Sequence, residues 1–235
     1  MKVTIVLPAK NEGAAISGVL AEINLARALL PEDIELESLV IDSSTDNTAE
    51  IARRLGVRVI FCHRKGKGNA FWASLTYIDS SDLIIMADAD STYPLITNIP
   101  TIVEKLLAGN DVVIGYRKYR LPGSMTKLNL FGNQLLSAIT TLLYGFHIRD
   151  VCSGLWGFKK DVLIDFDLTS EGFTLEADLF TNAIYSHCKI AQFPIKYRAR
   201  LGESSAKFRP GIDWLKILKF LIKRRFVKCR TGSQV

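Results

Sequence analysis

No C-x-x-C pair occurs among the four cysteines, Cys62, Cys152, Cys188 and Cys229, and the three histidines complete no zinc pattern. That excludes a zinc ribbon and a disulfide-stapled secreted scaffold, and it reads as reduced thiols in a cytosolic protein. There is no internal repeat and no low-complexity tract. With 16 glycines and 7 prolines in 235 residues, the chain is neither collagenous nor disordered. The sequence also lacks an apolar run long enough to span a bilayer, so any membrane association is expected to be peripheral. Its first residues, M-K-V-T-I-V-L-P, stop at Pro8, Lys10 and Glu12 without a small-residue cleavage site, which predicts a strand rather than a signal peptide. G-x-x-x-x-G-K-[ST] is absent, excluding a P-loop, and no nucleic-acid-binding module is visible.

What is present is a globular composition, 48% hydrophobic and 23% charged. The length suits one substantial domain, expected over residues 1–210, with a C-terminal appendage over 211–235. The net charge of +6 is unevenly placed: twelve Lys and Arg against Glu203 and Asp213 lie between Lys196 and Arg230, and the rest of the chain is net acidic. A basic C-terminus argues for a local anionic partner, a membrane surface or phosphate groups.

Short Val/Ile/Leu runs predict strands near 2–8, 34–42, 57–61, 82–88 and 111–115, separated by helical patterns near 13–29, 45–55, 67–79 and 95–108. That alternation is the signature of βαβ units and a mostly parallel sheet, covered on both faces by helices. Ligand-binding residues in such sheets gather at the carboxyl ends of the strands. The polar clusters Pro8-Ala9-Lys10-Asn11-Glu12, Asp42-Ser43-Ser44-Thr45-Asp46, Arg64-Lys65-Gly66-Lys67-Gly68 and Asp88-Ala89-Asp90 all fall at that edge, so they are expected to line one site. Further on, 128–148 carries no charge apart from His147, and Leu128, Phe131, Leu135, Ile139, Leu142 and Phe146 recur at helical spacing, which predicts a one-sided helix. A strand at 154–159, a helix near 175–187, a strand near 190–198 and a last helix over 211–227 complete the pattern.

Each constellation has two readings. Asp88 and Asp90 form an i, i+2 pair after a strand that suits a divalent cation such as Mg²⁺ or Mn²⁺; alternatively Asp90-Ser91 caps the next helix. The loop H-R-K-G-K-G allows backbone and Lys67 to approach a phosphate at a helix start, but taken alone it reads better as a tight turn with solvated lysines. Capping accounts for Ser44, Thr45 and Asp46, leaving Asp42 for a ligand such as a nucleoside. Glu176, beside Asp178 at a helix start, is either a base or an acid favoured by the helix dipole.

Taken in order, P-A-x-N-E, D-S-S-T-D-N-T, G-K-G-N-A, D-A-D, I-G-Y-R, N-x-x-x-N, D-V-C-S-G-L-x-G-F, G-F-T-L-E-A-D and Y-x-A-R-x-G-E-S-S resemble family 2 glycosyltransferases of the GT-A fold. Within these the series is similar to the dolichol-phosphate mannose synthase-like branch, especially archaeal enzymes that load a hexose onto dolichyl phosphate for N-glycosylation. The resemblance runs from about Lys2 to Phe226. It implies that Pro8, Ala9, Glu12, Asp42 and Lys67 contact a nucleotide-sugar donor (UDP- or GDP-hexose), and that Asp88 and Asp90 hold metal and diphosphate. By the same resemblance Arg117, Ser153 and Arg200 hold the phosphate of a dolichyl or polyprenyl acceptor, Glu176 lies near sugar or acceptor, transfer inverts the anomeric centre, and the enzyme works at the cytoplasmic membrane face. Three positions depart from the pattern: Ile41 stands where a second acid is common, Ser43 replaces a usual glycine, and Thr92 stands where the mannose-synthase branch often has Gln. Nucleotide choice and a third metal ligand stay open.

The chemistry is consistent with these residue types. A nucleoside diphosphate leaves only when its charge is neutralised. A phosphate monoester acceptor, with a second pKa near ~6, is ionised at neutral pH and needs positive charge, such as Arg117 and Arg200, more than a base. The last helix places Lys216, Lys219 and Lys223 on one stripe, which reads as an interfacial anchor or as a core helix with snorkelling lysines.

Overall fold

The computed structural model describes residues 1–64, 66–201 and 208–226. Lys65 of the basic loop, Gly202 to Ser205 of the Y-x-A-R-x-G-E-S-S segment and the tail from 227 lie outside the described residues.

Four strands, β1 (Lys2–Ala9), β2 (Glu35–Asp42), β3 (Arg58–Phe61) and β4 (Leu83–Met86), are connected by α1 (Ile16–Arg27), α2 (Thr48–Arg54) and α3 (Lys67–Ser74), the last continued by a 3₁₀ turn at Leu75–Tyr77. After β4 come α4 (Leu95–Leu107), β5 (Val112–Arg120), α5 (Lys127–Tyr144), β6 (Trp156–Lys159), α6 (Lys160–Ile164), α7 (Leu175–Tyr185), β7 (Ile190–Tyr197) and α8 (Ile212–Phe226). The seven strands form one sheet in the order β3-β2-β1-β4-β6-β5-β7. β6 runs antiparallel to both neighbours, and every other adjacent pair is parallel. The expected mostly parallel α/β sheet is therefore present, and the carboxyl ends of β1, β2, β3, β4 and β5 open on the same edge. The chain reverses strand order at β1, which is flanked by β2 and β4, and a crevice at such a switch point is where this architecture binds ligands.

Both faces of the sheet are covered, which is why its strands are near-continuous apolar runs: Val3, Ile5, Val6 and Leu7 of β1 are all fully buried. Ile16, Leu20 and Ile23 of α1 and Ile99 and Ile102 of α4 pack on one face. On the other lie Phe71 of α3, Leu136 of α5, Leu179 and Phe180 of α7, and Ile217 and Leu221 of α8.

Two elements differ from expectation. Most of the apolar stripe of α5 faces outward: Leu128, Phe131, Leu135 and Leu142 are exposed, the last 84%, Ile139 is half-buried and Phe146 packs on the core, while Gly132, Leu136, Ser137 and Thr140 are buried. The buried hydroxyls are satisfied within the helix, Ser137 donating to the Asn133 carbonyl (2.8 Å) and Thr140 to that of Leu136 (2.7 Å), so these side chains can turn inward at little cost. The expected boundary at residue 211 is not a break in packing either. Ile217 and Leu221 belong to the same core as α5 and α7, the Trp214 ring fills the space left by Gly132, and Tyr144 and Tyr185 donate to the carbonyls of Leu221 (2.7 Å) and Arg224 (2.8 Å). The last helix is an appendage in sequence only.

Candidate active site

The four polar clusters do meet at the carboxyl edge. The β1 loop is tied to the β2 loop, the Asn11 N–H donating to Ser44 Oγ (2.7 Å) and the Glu12 N–H to Thr48 Oγ1 (2.9 Å). Asp42, at the end of β2 and almost fully buried, accepts a bond from Ser44 Oγ (2.5 Å). Pro8 and Ala9 bring the backbone of β1 to the same rim, where the Ala9 carbonyl accepts from the Ser43 N–H (3.0 Å).

Asp88 and Asp90 follow β4, and each is paired with a cation from a distant element. Lys67, the first residue of α3, lies 2.6 Å from Asp88 Oδ1 and 2.6 Å from Glu176 Oε1 on α7. Arg200, beyond β7, lies 2.5 Å from Asp90 Oδ2 and 3.0 Å from Glu12 Oε1. Thr92 donates through N–H (3.1 Å) and Oγ1 (2.6 Å) to Asp90 Oδ1, which fixes that carboxylate's orientation. The departure at Thr92 thus has a structural part to play.

Burial dominates the electrostatics. It opposes the Lys67 charge, but Asp88 and Glu176 outweigh it, and the ammonium is held above its ordinary pKa. Burial raises Asp90, helped by Asp88 and countered by Arg200 and Thr92. Glu176 is likewise raised by burial, against the pull of Lys67. Arg200 is held above its ordinary value despite burial, chiefly by Asp90 and Glu12. The site concentrates acids that resist ionisation and bases that resist neutralisation, a pattern typical of sites tuned for charged ligands.

Close backbone approach shapes the cradle. A Cβ on Gly154 would sit 2.3 Å from Asp88 Oδ2, so only glycine leaves this carboxylate in place. Gly66 (φ +116°) and Gly68 abut the carbonyls of Glu171 and Ser170, at 2.0 and 2.1 Å from where a Cβ would stand. Asp88 and Asp90 are hard oxygen donors close enough for their charges to interact, and they are the residues that would hold a divalent cation. Among the described residues no group of three or more His, Cys, Asp or Glu is arranged as a metal cage.

Two residues expected at the acceptor phosphate are already engaged. Arg117, only 8% exposed, donates from Nε and Nη2 to both oxygens of Asp150 (2.6 and 2.7 Å) and stacks over the Tyr197 ring at 5.2 Å. Ser153 is fully buried, and its hydroxyl bonds to the Gly115 carbonyl. The structure thus places Glu12, Asp42, Lys67, Asp88, Asp90, Glu176 and Arg200 at one edge of the sheet, six of them linked by ion pairs, and buries Ser153 in the wall behind them. Asp150 and Tyr93, whose hydroxyl accepts from the Gly154 N–H (2.7 Å), are part of that wall and were missed. The only sequence signal for Asp150 was its place in D-V-C-S-G. Beside Arg117 a cleft of about 640 Å³ opens between β5, α5 and residues 147–150, lined by Lys118, Arg120, Arg149, Asn133, Leu130 and Leu142 among others.

A sheet with one antiparallel strand between β4 and β5, and an acidic pair at the end of β4, define the GT-A class of nucleotide-sugar folds. The family model for glycosyl transferase family 2 matches residues 4–166, and the chain belongs to that family of glycosyltransferases. It is 32% identical over 219 residues to a dolichyl-phosphate hexose transferase of Haloferax volcanii, covering 93% of this chain and 92% of the relative. A dolichol-phosphate mannosyltransferase of Pyrococcus furiosus is 26% identical over 233 residues, with 95% of this chain and 64% of that protein covered. Among solved structures, glucosyl-3-phosphoglycerate synthase of Mycobacterium tuberculosis in complex with Mn²⁺, UDP-glucose and phosphoglyceric acid superposes with a TM-score of 0.78 at 24% identity, covering 97% of this chain and 81% of the other.

Proposed function

We propose that this enzyme transfers a hexose, with inversion, from a UDP- or GDP-sugar to a dolichyl or polyprenyl phosphate at the cytoplasmic face of the membrane, using Mg²⁺ or Mn²⁺. One observation carries the reading: the two carboxylates at the end of β4 are each held by a basic side chain, Asp88 by Lys67 and Asp90 by Arg200. Two anions and two cations interleaved at one rim form a receptor for a metal–diphosphate pair. The Haloferax relative's name, dolichyl-phosphate hexose transferase, supports the acceptor class.

Asp42 and the β1 rim at Pro8 and Ala9 hold the nucleoside, Glu12 fixes Arg200, and Asp88 and Asp90 would hold the cation. When bound, that cation supplies Lewis-acid neutralisation of the departing diphosphate. Lys67, released from Asp88, faces the same diphosphate from the start of α3, where the helix dipole also favours anions. The acceptor phosphate, ionised at neutral pH, attacks the anomeric carbon from the face opposite the leaving group. A carbon–oxygen bond to the acceptor forms as the bond to the nucleoside diphosphate breaks. Arg200 lowers the repulsion between the two phosphates, and Arg117, held by Asp150, contributes field from behind. Glu176 orients Lys67 and needs to accept no proton.

The test is incubation with labelled UDP- and GDP-sugars, dolichyl phosphate and Mn²⁺ or Mg²⁺, followed by lipid extraction. Label in the lipid phase is expected from one donor and is expected to disappear with Asp88→Asn. Its absence for every donor overturns the reading. Transfer to a hydroxyl acceptor instead would make Glu176 an obligatory base, and Glu176→Gln would then abolish turnover.

A further inference from the structure

Asp178 lies two residues beyond Glu176 and is completely buried, yet it faces away from the crevice. Its Oδ2 accepts from the backbone N–H groups of Thr169 (2.6 Å) and Ser170 (2.8 Å), and its Oδ1 accepts from Asn182 Nδ2 (3.0 Å) and from Arg224 Nη2 (3.0 Å) near the end of α8. The same Arg224 Nη2 donates to the Asp167 carbonyl (2.8 Å), and Asn182 brackets Asp167 from the other side, accepting its N–H (2.9 Å). Asp178 thus has no oxygen left for catalysis. It is the hub that shapes the 167–171 segment, and Arg224 is the cation that compensates its burial.

That segment has no slack where it meets the site. The carbonyls of Ser170 and Glu171 occupy the space that side chains would take at Gly68 and Gly66, and the Asn69 N–H donates to the Glu171 carbonyl (3.3 Å). Lys67 sits between those two glycines. We infer that Arg224 is a positioning residue: through Asp178 it sets the 167–171 segment, and through that segment the height and direction of Lys67 at the crevice. The inference rests on the reading of Lys67 as a contact to the donor diphosphate. It makes the last helix, which packs on α5 and α7, a determinant of donor affinity.

The test is calorimetric titration of the full chain with UDP and with GDP, Mn²⁺ present, alongside hydrogen exchange. Displacing a charged contact by a fraction of an ångström is expected to weaken nucleotide binding about tenfold in Arg224→Met. Arg224→Lys, which keeps the charge and reaches one acceptor, is expected to recover part of it. Arg225→Met is the control: Arg225 lies on the same helix but donates to the Leu143 carbonyl of α5 (2.7 Å), and its loss is expected to leave nucleotide affinity unchanged. In the wild type, nucleotide is expected to slow amide exchange at Thr169 and Ser170 together with Asn69. Wild-type affinity in a folded Arg224→Met protein, or an equal loss in Arg225→Met, overturns the inference while the site reading stands. If Arg224→Met does not fold, unchanged exchange at Thr169 and Ser170 on nucleotide binding overturns it. A wild type that binds neither UDP nor GDP overturns both.

Discussion

Arg117 and Asp150 illustrate how a charged residue's type can be legible while its task is not. Burial opposes the guanidinium charge, and Asp150 outweighs it, so Arg117 remains ionised deep in the wall of the crevice. Removing one partner of such a pair strands the other, at a cost of about 3 kcal/mol or more. Asp150→Ala is therefore expected to lower the denaturation free energy by that order, read from urea unfolding, whereas a surface pair such as Arg54–Glu50 contributes almost nothing. Glu176→Gln keeps the oxygen that faces Lys67 and is expected to be milder in transfer rate than Arg200→Ala, which leaves Asp90 and Glu12 without their shared cation. Steady-state rates of the two variants decide whether the acceptor supplies its own negative charge. The acids at the ends of β1, β2 and β4 were readable because strand ends and polar clusters coincide along the sequence. Asp150 was not, because it lies 33 positions from Arg117 and only tertiary packing joins them. The turn of the Ser153 hydroxyl toward the Gly115 carbonyl was not legible either, because a hydroxyl in a motif gives no sign of whether it faces ligand or carbonyl.

Helices and strands were readable almost throughout, since period-2 and period-3.6 patterns are local properties. What periodicity cannot say is which way a stripe points, and α5 shows the consequence. Leu128, Phe131, Leu135 and Leu142 turn outward, while Gly132, Leu136, Ser137 and Thr140 turn inward, the two hydroxyls bonded within the helix. On the inward side a Cβ on Gly132 would lie 2.1 Å from the Trp214 ring, so Gly132→Ala is expected to shift α8 and destabilise the fold by about 1–3 kcal/mol, read as a lower thermal midpoint. The junction of α8 with α7 has a pH signature. Burial raises the Asp178 pKa above its ordinary value, countered by the Thr169 N–H and Arg224. Removing Arg224 raises it further. A carboxyl raised on folding favours the folded state below its unfolded pKa and loses that advantage as pH rises through the folded one. The stability deficit of Arg224→Met relative to wild type is therefore expected to be small in acid and to grow toward neutral pH, which paired thermal melts across that range will show.

For the molecule as a whole, the proposed lipid-linked acceptor raises a question of access, since no helix among the described residues is long and apolar enough to cross a bilayer. The sheet's α1–α4 face is closed by ordinary amphipathic helices. Its other face presents two adjacent helices with apolar side chains outward: Leu128, Phe131, Leu135 and Leu142 on α5, and Leu215, Ile222 and Phe226 on α8. Lys216, Lys219 and Lys223 are exposed among the latter, and Arg120, Lys118 and Arg149 line the neighbouring cleft. Apolar residues mixed with lysines suit the headgroup boundary of an anionic membrane, where hydrophobic burial and charge act together. Binding to vesicles containing an anionic lipid is expected to fall when Phe131 and Leu142 are both replaced by serine, and to fall again with rising salt, because the lysine contribution is screened over about 8 Å at physiological ionic strength. Leu107→Ser is the control, since Leu107 is also an exposed apolar side chain but lies on α4, across the sheet. The double variant is expected to bind UDP normally, since both residues lie on α5 and neither is among the residues at the ends of β1, β2 and β4, and to lose transfer to vesicle-embedded dolichyl phosphate. Undiminished vesicle binding by the double variant would mean that the exposed faces of α5 and α8 serve another partner.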